Sequence, residues 1–217
     1  PRGSRSGDRQ LSGSRPRSPA MTRSDEMPAP TEAPSNVSNG QREHAAAVHT
    51  KEVLAAALSR DYEVHQGASL LYRIEIDSFG KTSNDGQDAP RRGQYAFQTD
   101  ILVTRAKTPL VVVELKAGSF SSHDVITYSW KAQRHKQVYP YLRYGFAVVG
   151  LEALGRRFMT HNEGFDFAAA IPDLAEIEAH LTPIIRRQIK SAERLIELTR
   201  HARVKLRRYE QNVEIDG

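Results

Sequence analysis

The sequence predicts an α/β fold, a sheet flanked by helices, followed by a long C-terminal helix. Three observations point there. Helical and β-rich stretches alternate along the middle of the chain. Val111, Val112 and Val113 form an unbroken apolar run, the signature of a strand covered on both faces. Residues 184–214 contain neither Gly nor Pro and carry an apolar stripe at helical spacing.

Each element follows from local pattern. Residues 1–42 are rich in Arg, Ser, Pro and Gly, lack hydrophobic periodicity, and read as a disordered tail. Residues 43–60 are Ala-rich, with Val48, Val53, Leu54 and Leu58 at helical spacing. Residues 69–77 alternate as a strand does, and residues 80–94 collect turn-formers and charges into a loop. Two β-rich runs, 95–104 and 110–117, are joined by Arg105–Pro109 and form a hairpin, with Gly118 closing the second strand. A helix over 123–143 follows, with Pro140 awkward near its end, then a strand over 145–151. Residues 173–181 read as a short helix with Asp173 in its opening turn. Pro183 suits the first turn of the long helix that follows. The domain division is tail 1–42, core 43–172 and helical extension 173–217.

Composition narrows the function. The chain has 217 residues, 39% of them hydrophobic, and no cysteine. A disulfide scaffold and thiolate metal sites are thereby excluded, and a cytoplasmic location fits. No apolar run is long enough for a membrane helix, so a membrane partner is not expected. The net charge of +5 is uneven. Residues 43–183 are near neutral, whereas residues 184–208 hold nine basic groups against Glu193 and Glu197. A polyanionic partner such as nucleic acid fits that helix, and so does an ordinary solvated face. No Ser-His-Asp pattern, phosphate-binding glycine loop or H-E-x-x-H motif is present.

The chemistry concentrates in the predicted hairpin. Residues two apart on a strand share a face, so Glu114 and Lys116 point the same way. A hairpin turning about Lys107 sets Asp100 directly opposite Glu114, with Cβ atoms ~5 Å apart. Two carboxylates that close repel unless a cation lies between them, and a hard divalent ion with oxygen ligands suits the role. The alternative is that these are charges on the wet face of a hairpin. The apolar run leading into Glu114 argues against it, because charges at the end of a buried strand need partners or a purpose.

At Asp100-Ile101-Leu102-Val103 and Val111-Val112-Val113-Glu114-Leu115-Lys116 the sequence resembles the PD-(D/E)XK nuclease superfamily over roughly residues 43–151. Gln98-Thr99 stand where a Pro often precedes the first acid. The resemblance implies a restriction-endonuclease-like core with a mixed central sheet. It implies Mg²⁺, with Mn²⁺ substituting, held by Asp100, Glu114 and the main-chain carbonyl of Leu115, and Lys116 acting beside it on the attacking water or the phosphate. It also implies a further acid from the helix before the sheet, for which Glu52 is the candidate and Glu75 the competitor. Gln137-Val138-Tyr139-Pro140-Tyr141 looks like the Q-x-x-x-Y motif of RecB-like members, placing Gln137 near the active site and Tyr141 near DNA. Lys131 and Arg134 on the same helix could meet phosphates. Trp130 reads as core, and His123 as a helix-start residue. The implied function is a Mg²⁺-dependent DNA endonuclease of restriction or defence type. A homodimer is expected, since cutting both strands takes two sites. The alternatives are a RecB-like exonuclease or repair nuclease, and a non-catalytic nucleic-acid-binding or assembly module.

Overall fold

A computed structural model describes residues 38–83 and 95–201. The predicted tail up to residue 37, most of the 80–94 loop and the last part of the predicted C-terminal helix lie outside them. The elements are α1 (Asn39–Ala57), β1 (Glu63–Gln66), β2 (Ser69–Leu71), β3 (Ala96–Gln98), β4 (Ile101–Arg105), β5 (Thr108–Ala117), α2 (Ser122–Val138), β6 (Arg143–Val149), α3 (Gly155–His161), β7 (Phe167–Ile171) and α4 (Ile177–Arg200).

Five strands form a mixed sheet in the order β1-β4-β5-β6-β7, antiparallel through β5 and parallel beyond it. Strands β2 and β3 form a separate antiparallel ribbon. The ten-residue β5 is central, and eight of its positions are buried. Val111, Val113 and Leu115 face a core closed by α1 and α4. Val112 faces the other way, into a core built with Tyr144, Phe146, Val148 and residues of α2 and α3. Burying one such side chain contributes ~1.5–3 kcal/mol, so the valine run dictates the middle of the sheet.

The β4–β5 hairpin turns more tightly than the five-residue connection expected from sequence. Ala106 and Lys107 alone form the turn, at φ 47° and 66°, the positive values a two-residue hairpin demands. That turn sets Arg105 opposite Thr108 and Thr104 opposite Pro109. A bulge beyond Pro109 then shifts the register by one residue, giving Val103↔Val111 and Ile101↔Val113. The predicted register is therefore reached near Glu114, through a different turn.

Several boundaries differ from the expected ones for local reasons. Helix α1 begins earlier, because Ser38 and Gln41 form a reciprocal capping box. The predicted strand 95–104 breaks at Thr99-Asp100 into β3 and β4, which belong to different sheets. Helix α2 stops at Val138 rather than 143, since Pro140 disfavours helical backbone at Tyr139, which sits at φ −122° and ψ 81°. The segment 156–167 supplies α3 and the approach to β7. The predicted break before Pro183 is absent: a short 3₁₀ turn over Leu174–Glu176, capped by Asp173, leads into α4, which runs through the proline. Ile177, Leu181, Ile185, Ile189 and Ala192 are buried along one side. Their packing on the sheet offsets the backbone bond that Pro183 forfeits.

Gly145 illustrates how close the parallel strands lie. It pairs with Phe167, and a Cβ at Gly145 would stand 2.1 Å from the Phe167 ring. Gly145→Ala is expected to lower unfolding free energy by about 1–3 kcal/mol through overpacking, read as a lower urea midpoint.

Candidate active site

The site lies where β4 begins and β5 ends. Continuing the Ile101↔Val113 register by one residue sets Asp100 opposite Glu114. Asp100 Oδ2 accepts a 2.7 Å hydrogen bond from the Leu115 amide, which fixes that carboxylate against β5. Glu114 is 1% exposed and faces α2. The Tyr144 hydroxyl of β6 donates to Glu114 Oε1, and Lys131 Nζ lies 3.9 Å from the same oxygen. Burial first, and the Asp100 charge second, push the Glu114 carboxyl up to about 8; Lys131 and Tyr144 oppose them. The balance favours the neutral form of Glu114.

Lys116 is 16% exposed at its side chain. Its Nζ donates to Glu43 Oε1 at 3.1 Å, lies 3.4 Å from Asp124 Oδ1, and sits 5.5 Å from the Tyr128 ring centre. Burial opposes its charge, but Tyr128, Glu43 and Asp124 outweigh it and raise the ammonium well above its ordinary value. Lys116 is thus held as a cation, suited to stabilising negative charge rather than to removing a proton. Asp124 is itself anchored: its Oδ2 accepts from both the amide and the hydroxyl of Ser121, the cap of α2. These bonds and Lys116 hold its carboxyl below its usual value, against the opposing effect of burial.

The structure brings Asp100, Glu114, Leu115, Lys116 and Lys131 together. It places the other sequence candidates elsewhere. Glu52 is exposed on α1, ~14 Å further along the helix than Glu43 at 1.5 Å per residue. Glu75 lies on the 72–83 segment, paired with Arg73 and the Tyr95 hydroxyl. Gln137 is exposed and accepts from Arg134, a neighbour on its own helix. Tyr141 lies past the end of α2, ahead of β6, whereas Glu114 pairs with Phe146 well inside that strand. Because α2 ends before Pro140, Gln137 and Tyr141 do not share a helical face. Trp130 is not core: it is 45% exposed. The basic residues Arg186, Arg187, Lys190 and Arg194 are exposed on α4, which covers the sheet face opposite α2.

Four residues of the site escaped the sequence reading: Glu43, Asp124, Tyr128 and Tyr144. A signal existed for two of them. Asp124, Tyr128 and Lys131 recur at i, i+4 and i+7, one helical face, directly after the Glu-Leu-Lys triplet. Tyr144 and Glu43 come from distant elements that only folding juxtaposes.

A cleft of about 240 Å³ opens beside Asp100, between Glu43 and His44 of α1 and Gln98 of β3. A larger hollow of about 520 Å³ in the 73–83 segment holds none of the site residues. Among the described residues no group of three or more His, Cys, Asp or Glu side chains is arranged to hold a metal. What is present is a pair of acids, one of them raised by burial and by the charge of the other, beside a main-chain segment. That donor set, all oxygen and no sulfur, suits Mg²⁺ completed by water and substrate phosphate. No helix among the described residues is long and apolar enough to cross a membrane. A scan against protein-family models, a search of curated proteins and a search of solved structures each found no match.

Proposed function

We propose that this chain is a Mg²⁺-dependent DNA endonuclease of restriction or defence type, built on a restriction-endonuclease-like core, acting in the cytoplasm as a homodimer. One observation carries the reading: Asp100 and Glu114 face each other across the hairpin, the first fixed by the Leu115 amide and the second buried, a close pair of carboxyls that a divalent cation would compensate. The order and mixed direction of the five strands support the same reading.

Asp100, Glu114 and the Leu115 carbonyl are the residues that would hold the metal, which supplies polarisation of a phosphoryl oxygen and a more acidic bound water. Tyr144 fixes one oxygen of Glu114, so the carboxyl cannot turn away. Lys116 supplies positive charge toward the phosphate as it loads with electrons. Glu43 and Asp124 hold that ammonium in place and set its protonation. Glu43 also lines the cleft beside Asp100, so it replaces Glu52 as the acid that α1 can offer. Because α4 spends its apolar stripe on its own sheet, a dimer contact would need another surface or the residues beyond Arg200.

Cleavage of supercoiled plasmid in Mg²⁺ tests the proposal. Nicking or linearisation is expected, lost in EDTA and reduced at least ~100-fold in Lys116→Ala. Intact plasmid, linear duplex and single strand after incubation with folded protein would sink it. A second reading, a binding module on the same fold, is favoured by one fact: Lys116 is already satisfied by two carboxylates. Absence of Mn²⁺ or Mg²⁺ binding in calorimetry would favour that reading. The RecB-like alternative draws no support from Gln137 and Tyr141 as they are placed.

A further inference from the structure

Four aromatic rings form a row along the β2–β3 ribbon and the adjacent side of α2. Tyr72 stacks on Phe97 with centroids 4.0 Å apart and planes at 15°. Phe97 meets Trp130 at 5.8 Å, and Tyr95 meets the edge of Tyr72 at 6.3 Å. Phe97 is the inner ring that holds Tyr72 and Trp130 in place; Trp130, at 45% exposure, is open to solvent. Cations interleave with the row. The Arg134 guanidinium lies 5.2 Å from the Trp130 ring, and Lys131 Nζ lies 5.6 Å from Phe97. At the far end Arg73 covers Tyr95 but is paired with Glu75. The positive end is therefore the Trp130 end. Phe97 links the row to the acids: Lys131 is the same cation that stands 3.9 Å from Glu114, so the Phe97 ring lies within about 10 Å of that carboxylate.

We propose that this row is a stacking platform for unpaired bases of the strand whose phosphate reaches Asp100 and Glu114. Trp130 receives a base, and Lys131 and Arg134 meet the phosphates that flank it. The inference rests on the nucleic-acid reading above and names the form of substrate. Bases inside a duplex already stack on one another and offer no face to a protein ring, whereas unpaired bases do. Aromatic faces with interleaved cations suit such bases whatever their sequence, and a purely apolar protein partner would offer no counter-charge to Arg134.

Trp130 is the only tryptophan of the chain, so its emission reports contact directly and without any cleavage. The full chain, free of divalent metal, is titrated with single-stranded oligothymidylate, an abasic strand of equal length and charge, and a duplex. Oligothymidylate is expected to quench Trp130 and to bind about tenfold tighter than the abasic strand. Trp130→Ala removes that difference and Trp130→Phe retains most of it, measured with a labelled strand. Equal affinity for the abasic strand, or preference for the duplex, overturns the platform. Plasmid cleavage together with unchanged strand binding by Trp130→Ala sinks the platform and leaves the nuclease standing. Quenching by a protein that cuts nothing keeps the platform and sinks the nuclease.

Discussion

Glu114→Gln is expected to abolish cleavage while making the metal-free protein more stable at alkaline pH. The sign follows from the proton Glu114 holds. Its carboxyl titrates near 8 in the folded chain against an ordinary value of 4.5. Below about 4.5 both folded and unfolded states are protonated and the group costs nothing. Between 4.5 and 8 the folded state keeps a proton that the unfolded state releases, so stability falls as pH rises. Above about 8 the full cost of a buried carboxylate beside Asp100 is present, several kcal/mol at about 1.4 kcal/mol per pKa unit. Glutamine resembles the protonated acid and keeps an oxygen for Tyr144, so it removes this dependence. Urea unfolding without metal, at about pH 5 and about pH 9, gives the comparison: a large loss for the parent chain, little for Glu114→Gln. Equal losses in both would show that Glu114 is not the titrating group. Metal at the site should reverse the parent's loss, because it binds the ionised pair and releases the proton. A site that gains stability when disarmed is one where strain is kept for function.

Asp166→Ala is expected to cost about 3–5 kcal/mol, the range for breaking a buried ion pair from one side. Asp166 is 12% exposed at its side chain and answers three donors. Lys136 of α2 reaches it at 2.8 Å, Arg143 of β6 at 3.0 Å, and the Tyr144 amide at 2.7 Å. Burial lowers the Lys136 ammonium, and the Asp166 charge partly restores it. Removing the carboxylate leaves two cations and an amide uncompensated where α2, β6 and the approach to β7 meet. The same cluster anchors the start of β6, and hence the strand that carries the Tyr144 hydroxyl to Glu114. A fall in denaturation midpoint should therefore be accompanied by weaker metal binding. Asp166→Asn, which keeps an acceptor, should lose less of both. A variant as stable as the parent would show the cluster to be surface decoration.

Several features of this chain were determined by its sequence alone. The valine run marks β5 as a strand covered on both faces, since it is short, β-branched and closed by Gly118. The two-residue period then puts Glu114 and Lys116 on one face, and the two adjoining β-rich runs predict a hairpin that brings Asp100 near them. These are consequences of local geometry, which is why they are legible without a fold. Helices α1, α2 and α4 were legible for the same reason. Tertiary structure decided what depends on distant partners. Strands β1 and β7 are too short to announce themselves and exist because a sheet edge receives them. Helix α4 passes through Pro183 because packing on the sheet outweighs one lost backbone bond. Glu43 rather than Glu52 reaches Lys116 because the start of α1, not its middle, lies beside the end of β5. Tyr144 meets Glu114 only through the parallel pairing of β5 with β6. Trp130 is exposed because the buried stripe of α2 runs through Val125, Ser129 and Ala132 instead. Local chemistry set the acids on their hairpin; long-range packing chose which protons, cations and rings surround them.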